Sequence, residues 1–235
     1  MDGRKLDNAK NGFTEDLQGN KFYFTSPLPG LHIYDNVWPE SMAFLEGLLD
    51  PAFWEEKEKE KDVNYRKWVR EDFFDDVQYT KENGKRADTC WIYREEEINK
   101  EFRGPINSYN NHWNLDPRSR ESLRITRYSS GEFFGAHADD TYATPRTVSL
   151  VYYPNDDYAG GELEFIHFGV KIKPKAGQLF IFPSGYSYEH KIHEIGEGSP
   201  RWTIVSFLYF GTDTESQTRR EGLKFPYQII PQELF

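Results

Sequence analysis

Three residue types in a fixed order carry the chemistry of this chain: His137 and Asp139 within Gly-Ala-His-Ala-Asp, a second histidine about fifty positions later, and then Arg201. Two imidazoles and one carboxylate can cap one face of a divalent ion and leave the opposite face open. A mononuclear non-haem iron site needs that arrangement when it must seat a co-substrate and O₂ together. A strand places residues i and i+2 on one face, so His137 and Asp139 can reach a shared ion from one strand end. His-x-Asp alone is a weak signal, but here a strand ending in Arg127-Tyr128-Ser129-Ser130-Gly131 precedes it and an apolar strand, Thr147 to Tyr153, follows.

Three histidines compete for the third ligand position. His167 falls in an expected outer strand and reads as a satisfied or exposed imidazole. Parity separates the other two. Arg201, Thr203 and Val205 alternate on one face of the last long strand, while His190 and Ile192 share a face of the strand before it, with His193 on the reverse. Parity favours His190, and a bulge would exchange it for His193. Arg201 adds a planar fork able to grip a terminal carboxylate through two parallel charge-assisted bonds. A buried arginine without a carboxylate partner would be too costly to persist, so either a bound acid or a structural ion pair is expected there.

The elements that must hold these groups are mainly β. At 235 residues the chain suits one ordinary domain, and with aromatics at 17% much of the core volume must come from Phe, Tyr and Trp. Between Leu123 and Phe210, short alternating runs separated by Gly, Pro and Asn/Asp clusters predict eight strands, at 122–129, 133–137, 146–153, 161–167, 169–173, 178–182, 188–194 and 201–210, suited to two sheets packed as a jelly roll. Helices are expected earlier: one from Trp38 with Met42, Leu45, Leu48 and Leu49 on one face, one over Phe53 to Val69 whose alternating Glu-Lys run is a solvated face, and one from Glu95 carrying Ile98, Phe102, Ile106, Tyr109 and Trp113. Gly104-Pro105 is expected to end or kink the last. The organisation read from these patterns is one domain over 1–235, made of an arm or edge strand (1–30), helical support and a substrate loop (31–120), the β core (121–211) and a tail (212–235). Within the tail, Phe225, Tyr227, Ile229, Ile230 and Phe235 are expected to pack back onto the domain.

Composition narrows the classes of function. A single cysteine, Cys90, excludes an intrachain disulfide and a multi-cysteine zinc site. A net charge of −10 argues against nucleic acid as partner, which needs a basic footprint. No apolar run long enough to span a bilayer and no signal-peptide pattern are visible, so a cytoplasmic protein without membrane attachment is expected, as monomer or homodimer. Residues 72–92, with the turn pair Asn83-Gly84 and several aromatics, are the expected substrate loop.

In combination these motifs resemble the Fe(II)- and 2-oxoglutarate-dependent dioxygenases, in their prolyl 4-hydroxylase-like branch of microbial or viral type. The resemblance runs through Arg127-Tyr128-x-x-Gly131, His137-x-Asp139, Tyr152-Tyr153-Pro154-Asn155, Gly160-Gly161-Glu162-Leu163, Lys173-Pro174-Lys175-x-Gly177, Phe182-Pro183-Ser184, His190-x-Ile192-x-x-Ile195 and Gly198-x-x-Arg201-Trp202, with weaker similarity back to Tyr34. It implies a double-stranded β-helix supported by N-terminal helices. His137, Asp139 and His190 would hold iron, and Arg201 the distal carboxylate of 2-oxoglutarate. Tyr153 matches a tyrosine sharing that carboxylate, Tyr128 one that lines the pocket near the metal, and Val151 and Thr203 count with them. The implied cofactors are Fe(II), 2-oxoglutarate and O₂, with ascorbate as accessory reductant. The implied reaction is hydroxylation of a prolyl residue in a peptide or protein, with Tyr79, Arg86 and Trp91 as substrate contacts. Free L-proline is the alternative substrate, and a non-catalytic β-barrel binding protein or a zinc enzyme are competing readings. Related nucleic-acid demethylases place a second arginine six positions beyond the first, where this chain has Phe207.

Overall fold

The computed structural model describes residues 10–15, 19–41, 65–68, 87–91, 95–141, 145–210 and 229–231. Among them lie seventeen strands and one long helix. The N-terminal strands are β1 (Lys10–Glu15), β2 (Lys21–Ser26), β3 (His32–Tyr34), β4 (Tyr65–Trp68) and β5 (Ala87–Trp91). The helix α1 (Glu95–Trp113) follows, then β6 (Ser119–Glu121), β7 (Arg124–Tyr128), β8 (Phe134–His137), β9 (Val148–Tyr153), β10 (Tyr158–Gly160) and β11 (Leu163–Phe165). The chain closes with β12 (Val170–Ile172), β13 (Gln178–Pro183), β14 (His190–Ile192), β15 (Ile195–Gly198), β16 (Arg201–Tyr209) and β17 (Ile229–Pro231).

Antiparallel pairing arranges these strands in two facing layers. The large sheet runs β1-β2-β3-β13-β9-β16-β7-β5-β4, with β6 pairing β16 and β17 beside it. The small sheet runs β12-β11-β14-β8, and β10 and β15 form a separate two-stranded piece. Two sheets of antiparallel strands are the jelly-roll arrangement that alternation predicted.

The central strands are buried on both faces, and alternation sorts their residues into two cores. On β13, Leu179 and Ile181 join Trp202, Ile204 and Leu208 of β16 against Ile98, Phe102, Ile106 and Tyr109 of α1. The intervening Phe180 and Phe182 join Leu163, Phe165 and Ile172 between the two sheets. Each fully buried aromatic is worth about 1.5–3 kcal/mol relative to exposure. Phe165, Phe180, Phe182 and Phe207 are all below 2% exposed, so they supply the volume that the aliphatic content leaves short.

Several expectations change on the folded chain. The helix from Glu95 runs through Pro105 to Trp113 rather than ending there. Tyr65–Trp68, placed by the charge pattern in a helix over Phe53 to Val69, is instead strand β4, because pairing with Ala87–Trp91 supplies hydrogen bonds that local propensity does not anticipate. The expected helix from Trp38 lies largely outside the described residues, as do the rest of the Phe53 stretch, Asn83-Gly84 and tail residues Phe225, Tyr227 and Phe235. The polar arm is an edge hairpin, β1 with β2, and Ile229–Pro231 pairs with β6. The strand predicted over 161–167 shortens to Leu163–Phe165, since Gly160 and Gly161 both take positive φ (62° and 66°) and break the pleat.

Candidate metal and co-substrate site

His137 ends β8 and His190 begins β14, and antiparallel pairing places the two directly opposite each other. Asp139 follows β8 by two residues, as the shared-face argument requires. The Nε2 atoms of His137 and His190 lie 3.5 Å and 3.8 Å from the two oxygens of Asp139. One ligand atom from each of the three falls within 4.8 Å of the others, close enough for a single ion.

Neighbouring groups aim this set. The Nδ1–H of His137 donates to the Gly135 carbonyl at 2.8 Å and that of His190 to the Tyr188 carbonyl at 3.0 Å, so both rings turn an Nε2 lone pair inward. The Ser149 hydroxyl donates to Asp139 Oδ2 at 2.6 Å and is itself 2.8 Å from the Ser184 hydroxyl. Burial, with His137 beside it, lowers His190 to about 4, which keeps the imidazole neutral and able to ligate. For Asp139, burial pushes upward, but His190, the His137 hydrogen bond and Arg146 outweigh it and hold the carboxyl well below its usual range.

The competing histidines find other partners. His193 sits 2.6 Å from Glu164 Oε2 on the reverse face of the small sheet, and His167 pairs with Glu189 at 3.2 Å. Parity favours the histidine that the fold groups with His137 and Asp139, although β14 does carry a register shift, after His190 rather than before it.

Arg201 lines the same pocket. It is fully buried, and its Nε, Nη1 and Nη2 have no hydrogen-bond acceptor. The rings of Tyr128 and Tyr153 flank it at 5.4 Å and 5.1 Å from the guanidinium carbon. The Tyr153 hydroxyl is likewise buried without a partner. Burial raises both phenols, Tyr128 to about 12, so both stay protonated donors. Val151 and Thr203 line this pocket with Leu163 and Ile192, as the alternation of β9 and β16 demands.

Implied Fe(II) and 2-oxoglutarate fit these residues. The inward ligand set matches a divalent ion, and a buried guanidinium lacking any acceptor calls for a carboxylate, the structural ion pair being excluded by its orphaned nitrogens. Of the expected substrate contacts, Tyr79 and Arg86 lie outside the described residues, and Trp91 ends β5 opposite Arg124 in the ladder with β7.

Sequence reasoning missed four participants. Ser149 and Ser184 brace Asp139, Arg124 lines the pocket from β7, and Tyr158 converges on Arg201. Ser149 and Arg124 were open to discovery by parity, being on the faces of Val151 and Tyr128. Tyr158 was not, because it arrives on a short strand hidden by glycines.

Comparison with known proteins agrees with this geometry. Residues 123–209 match the 2OG-Fe(II) oxygenase superfamily. A PKHD-type hydroxylase of Parvibaculum lavamentivorans is 29% identical over 94 residues, which cover 37% of this chain and 42% of the relative, so the match spans under half of that protein. Among solved structures, a viral collagen prolyl hydroxylase of Paramecium bursaria Chlorella virus-1 superposes with TM-score 0.54 at 16% identity, covering 77% of this chain and 96% of that one. A Pseudomonas putida prolyl-4-hydroxylase gives 0.54 at 21% identity over 77% and 92%. The Trichoplax adhaerens prolyl hydroxylase, in complex with a hypoxia inducible factor peptide fragment, gives 0.56 at 19% identity over 83% and 87%. Residues 123–209, which carry the ligand set and Arg201, are thus similar to the 2OG-Fe(II) oxygenase superfamily, on a fold shared with solved prolyl hydroxylases.

Proposed function

We propose that the protein hydroxylates an unactivated C–H of a prolyl residue in a peptide or protein, with residues 121–211 as its catalytic core and succinate and CO₂ as co-products. The observation that carries this is the buried Arg201, three guanidinium nitrogens without an acceptor, in one pocket with His137, Asp139 and His190. When bound, Fe(II) and 2-oxoglutarate supply the oxidising power for O₂-dependent hydroxylation.

The chain's own task is to bind, orient and keep dry. His137 and His190 turn their Nε2 atoms inward because backbone carbonyls accept from their Nδ1–H groups, and Ser149 restrains the carboxylate between them. Arg201 pairs with the distal carboxylate, and Tyr153 offers that group a hydroxyl. Val151, Leu163, Ile192, Val205 and Phe207 wall the pocket with apolar surface that excludes water. A peptide substrate is supported by the Trichoplax relative, whose structure holds a peptide fragment.

An anaerobic optical titration with Fe(II) and 2-oxoglutarate tests the site. The visible charge-transfer band of a chelated keto acid is expected in wild type and His193→Ala, and not in His190→Ala or Arg201→Ala. Absence of the band in wild type would sink the assignment. Succinate release stimulated by proline-containing peptides, and not by free L-proline, would then fix the substrate class; the reverse pattern makes this a free amino-acid hydroxylase.

A further inference from the structure

Tyr158 is 4% exposed, and its hydroxyl, like that of Tyr153, is buried with no hydrogen-bond partner. Nothing in the packing of the protein requires a phenol there, since phenylalanine would fill the same volume. Leaving a buried hydroxyl unsatisfied costs about 1–3 kcal/mol, so an orphan of this kind needs a reason.

Its surroundings point to one. Tyr158 packs with Tyr128, Phe134 and Ile195, and its hydroxyl comes close to the Arg201 guanidinium. Gly161 allows the convergence: a Cβ there would lie 2.9 Å from the Tyr158 ring and 3.0 Å from Arg201 Cδ. The ring is anchored from behind by Lys173, whose Nζ sits 3.6 Å from the ring centroid and donates to the carbonyls of Tyr158 at 2.7 Å and Gly160 at 2.5 Å. A lysine that holds both the backbone and the ring face of one tyrosine gives that side chain a single orientation. Lys173 heads the Lys-Pro-Lys-x-Gly motif, which the metal site leaves without a task.

A guanidinium carries five N–H groups, and a carboxylate bound side-on takes two. Phenol oxygens can accept from the remaining N–H groups while their own O–H groups donate to the carboxylate. Tyr153 and Tyr158 are the two buried phenols beside Arg201 whose hydroxyls lack partners. We infer that Tyr158, held in place by Lys173, is a further co-substrate-binding residue that donates its phenol to the distal carboxylate of the bound keto diacid and so selects a diacid over a monoacid.

This inference rests on Arg201 as the partner of the keto acid. The test compares full-length wild type and Tyr158→Phe, loaded anaerobically with Fe(II), by titrating 2-oxoglutarate and 2-oxopentanoate, a five-carbon keto acid without the distal carboxylate. The charge-transfer band reports the dissociation constant of each. Tyr158→Phe is expected to weaken 2-oxoglutarate at least about tenfold and leave 2-oxopentanoate unchanged. Its thermal midpoint should hold, because the ring that fills the volume between Tyr128, Phe134 and Ile195 is kept. Equal weakening of both acids, no weakening of either, or a lowered midpoint with unaltered selectivity would each overturn the role. A wild type without a band for either acid overturns the co-substrate reading and this inference together, whereas a normal wild-type band with an indifferent Tyr158→Phe overturns only the latter.

Discussion

At the scale of single residues, the candidate site consists of groups whose charge or hydrogen-bonding capacity is left open by the fold. Arg201 is the extreme case, fully buried and without an acceptor, and no lysine could reproduce its planar pairing with a carboxylate. Ser149 makes a subtler contribution. Its hydroxyl holds Asp139 Oδ2, so Ser149→Ala is expected to weaken Fe(II) binding by about tenfold to a hundredfold, in the range seen when an outer partner of a metal ligand is lost. Fe(II) titration at fixed 2-oxoglutarate checks it, and an unchanged affinity would show that Asp139 is positioned by its backbone alone.

At the scale of elements, the site depends on strands that serve two cores at once. β16 gives Trp202 and Ile204 to the helix side and Arg201 and Thr203 to the pocket. The segment joining β8 to β9 is tied down at Arg146, whose Nε and Nη2 reach Glu121 at 2.9 Å and 3.1 Å. Both residues are buried, and Arg146 also lies 3.7 Å from the Phe207 ring centroid. Glu121→Leu removes the carboxylate from this buried guanidinium and should cost about 3–5 kcal/mol, read as a lower denaturant midpoint; replacing Arg146 with Met in the same chain should recover part of it. Gly161→Ala is expected to be severe for a different reason. Its φ of +66° and a Cβ only 2.6 Å from Ile195 Cδ1 would strain the turn and push on Arg201, so both stability and 2-oxoglutarate affinity should fall. Loss of stability with normal affinity would show that Arg201 moves independently of the turn.

For the molecule as a whole, pH dependence arises away from the pocket as well as within it. His32, 1% exposed, stacks on Phe24 at 3.7 Å between ring centroids and hydrogen bonds with Tyr34 at 3.2 Å. Burial, and secondarily His112, lowers its pKa from 6.5 to about 3. Between those values the unfolded chain takes up a proton that the folded chain refuses, so stability declines as pH falls from about 6.5 toward 3. Denaturant midpoints at pH 7.5 and 5.5 should drop in wild type and drop less in His32→Leu; equal slopes would place the acid sensitivity elsewhere. The described residues contain no helix long and apolar enough to cross a membrane.

How much of this was legible from the chain follows from which interactions are local. Ligand types, their order and the choice of His190 over His193 were open to reading, because period-two alternation decides which face a side chain takes. The same alternation separated Leu179 and Ile181 from Phe180 and Phe182. Tertiary structure alone decided that Tyr65–Trp68 is a strand, because its partner lies some twenty residues away and pairing outweighs local charge pattern. It alone brought Tyr158 to Arg201, across forty residues and two positive-φ glycines that hide the approach. The sequence by itself determined what chemistry is available and on which strands it rides; the folded packing decided which buried groups were left without partners, since an unsatisfied donor is defined only by everything that surrounds it.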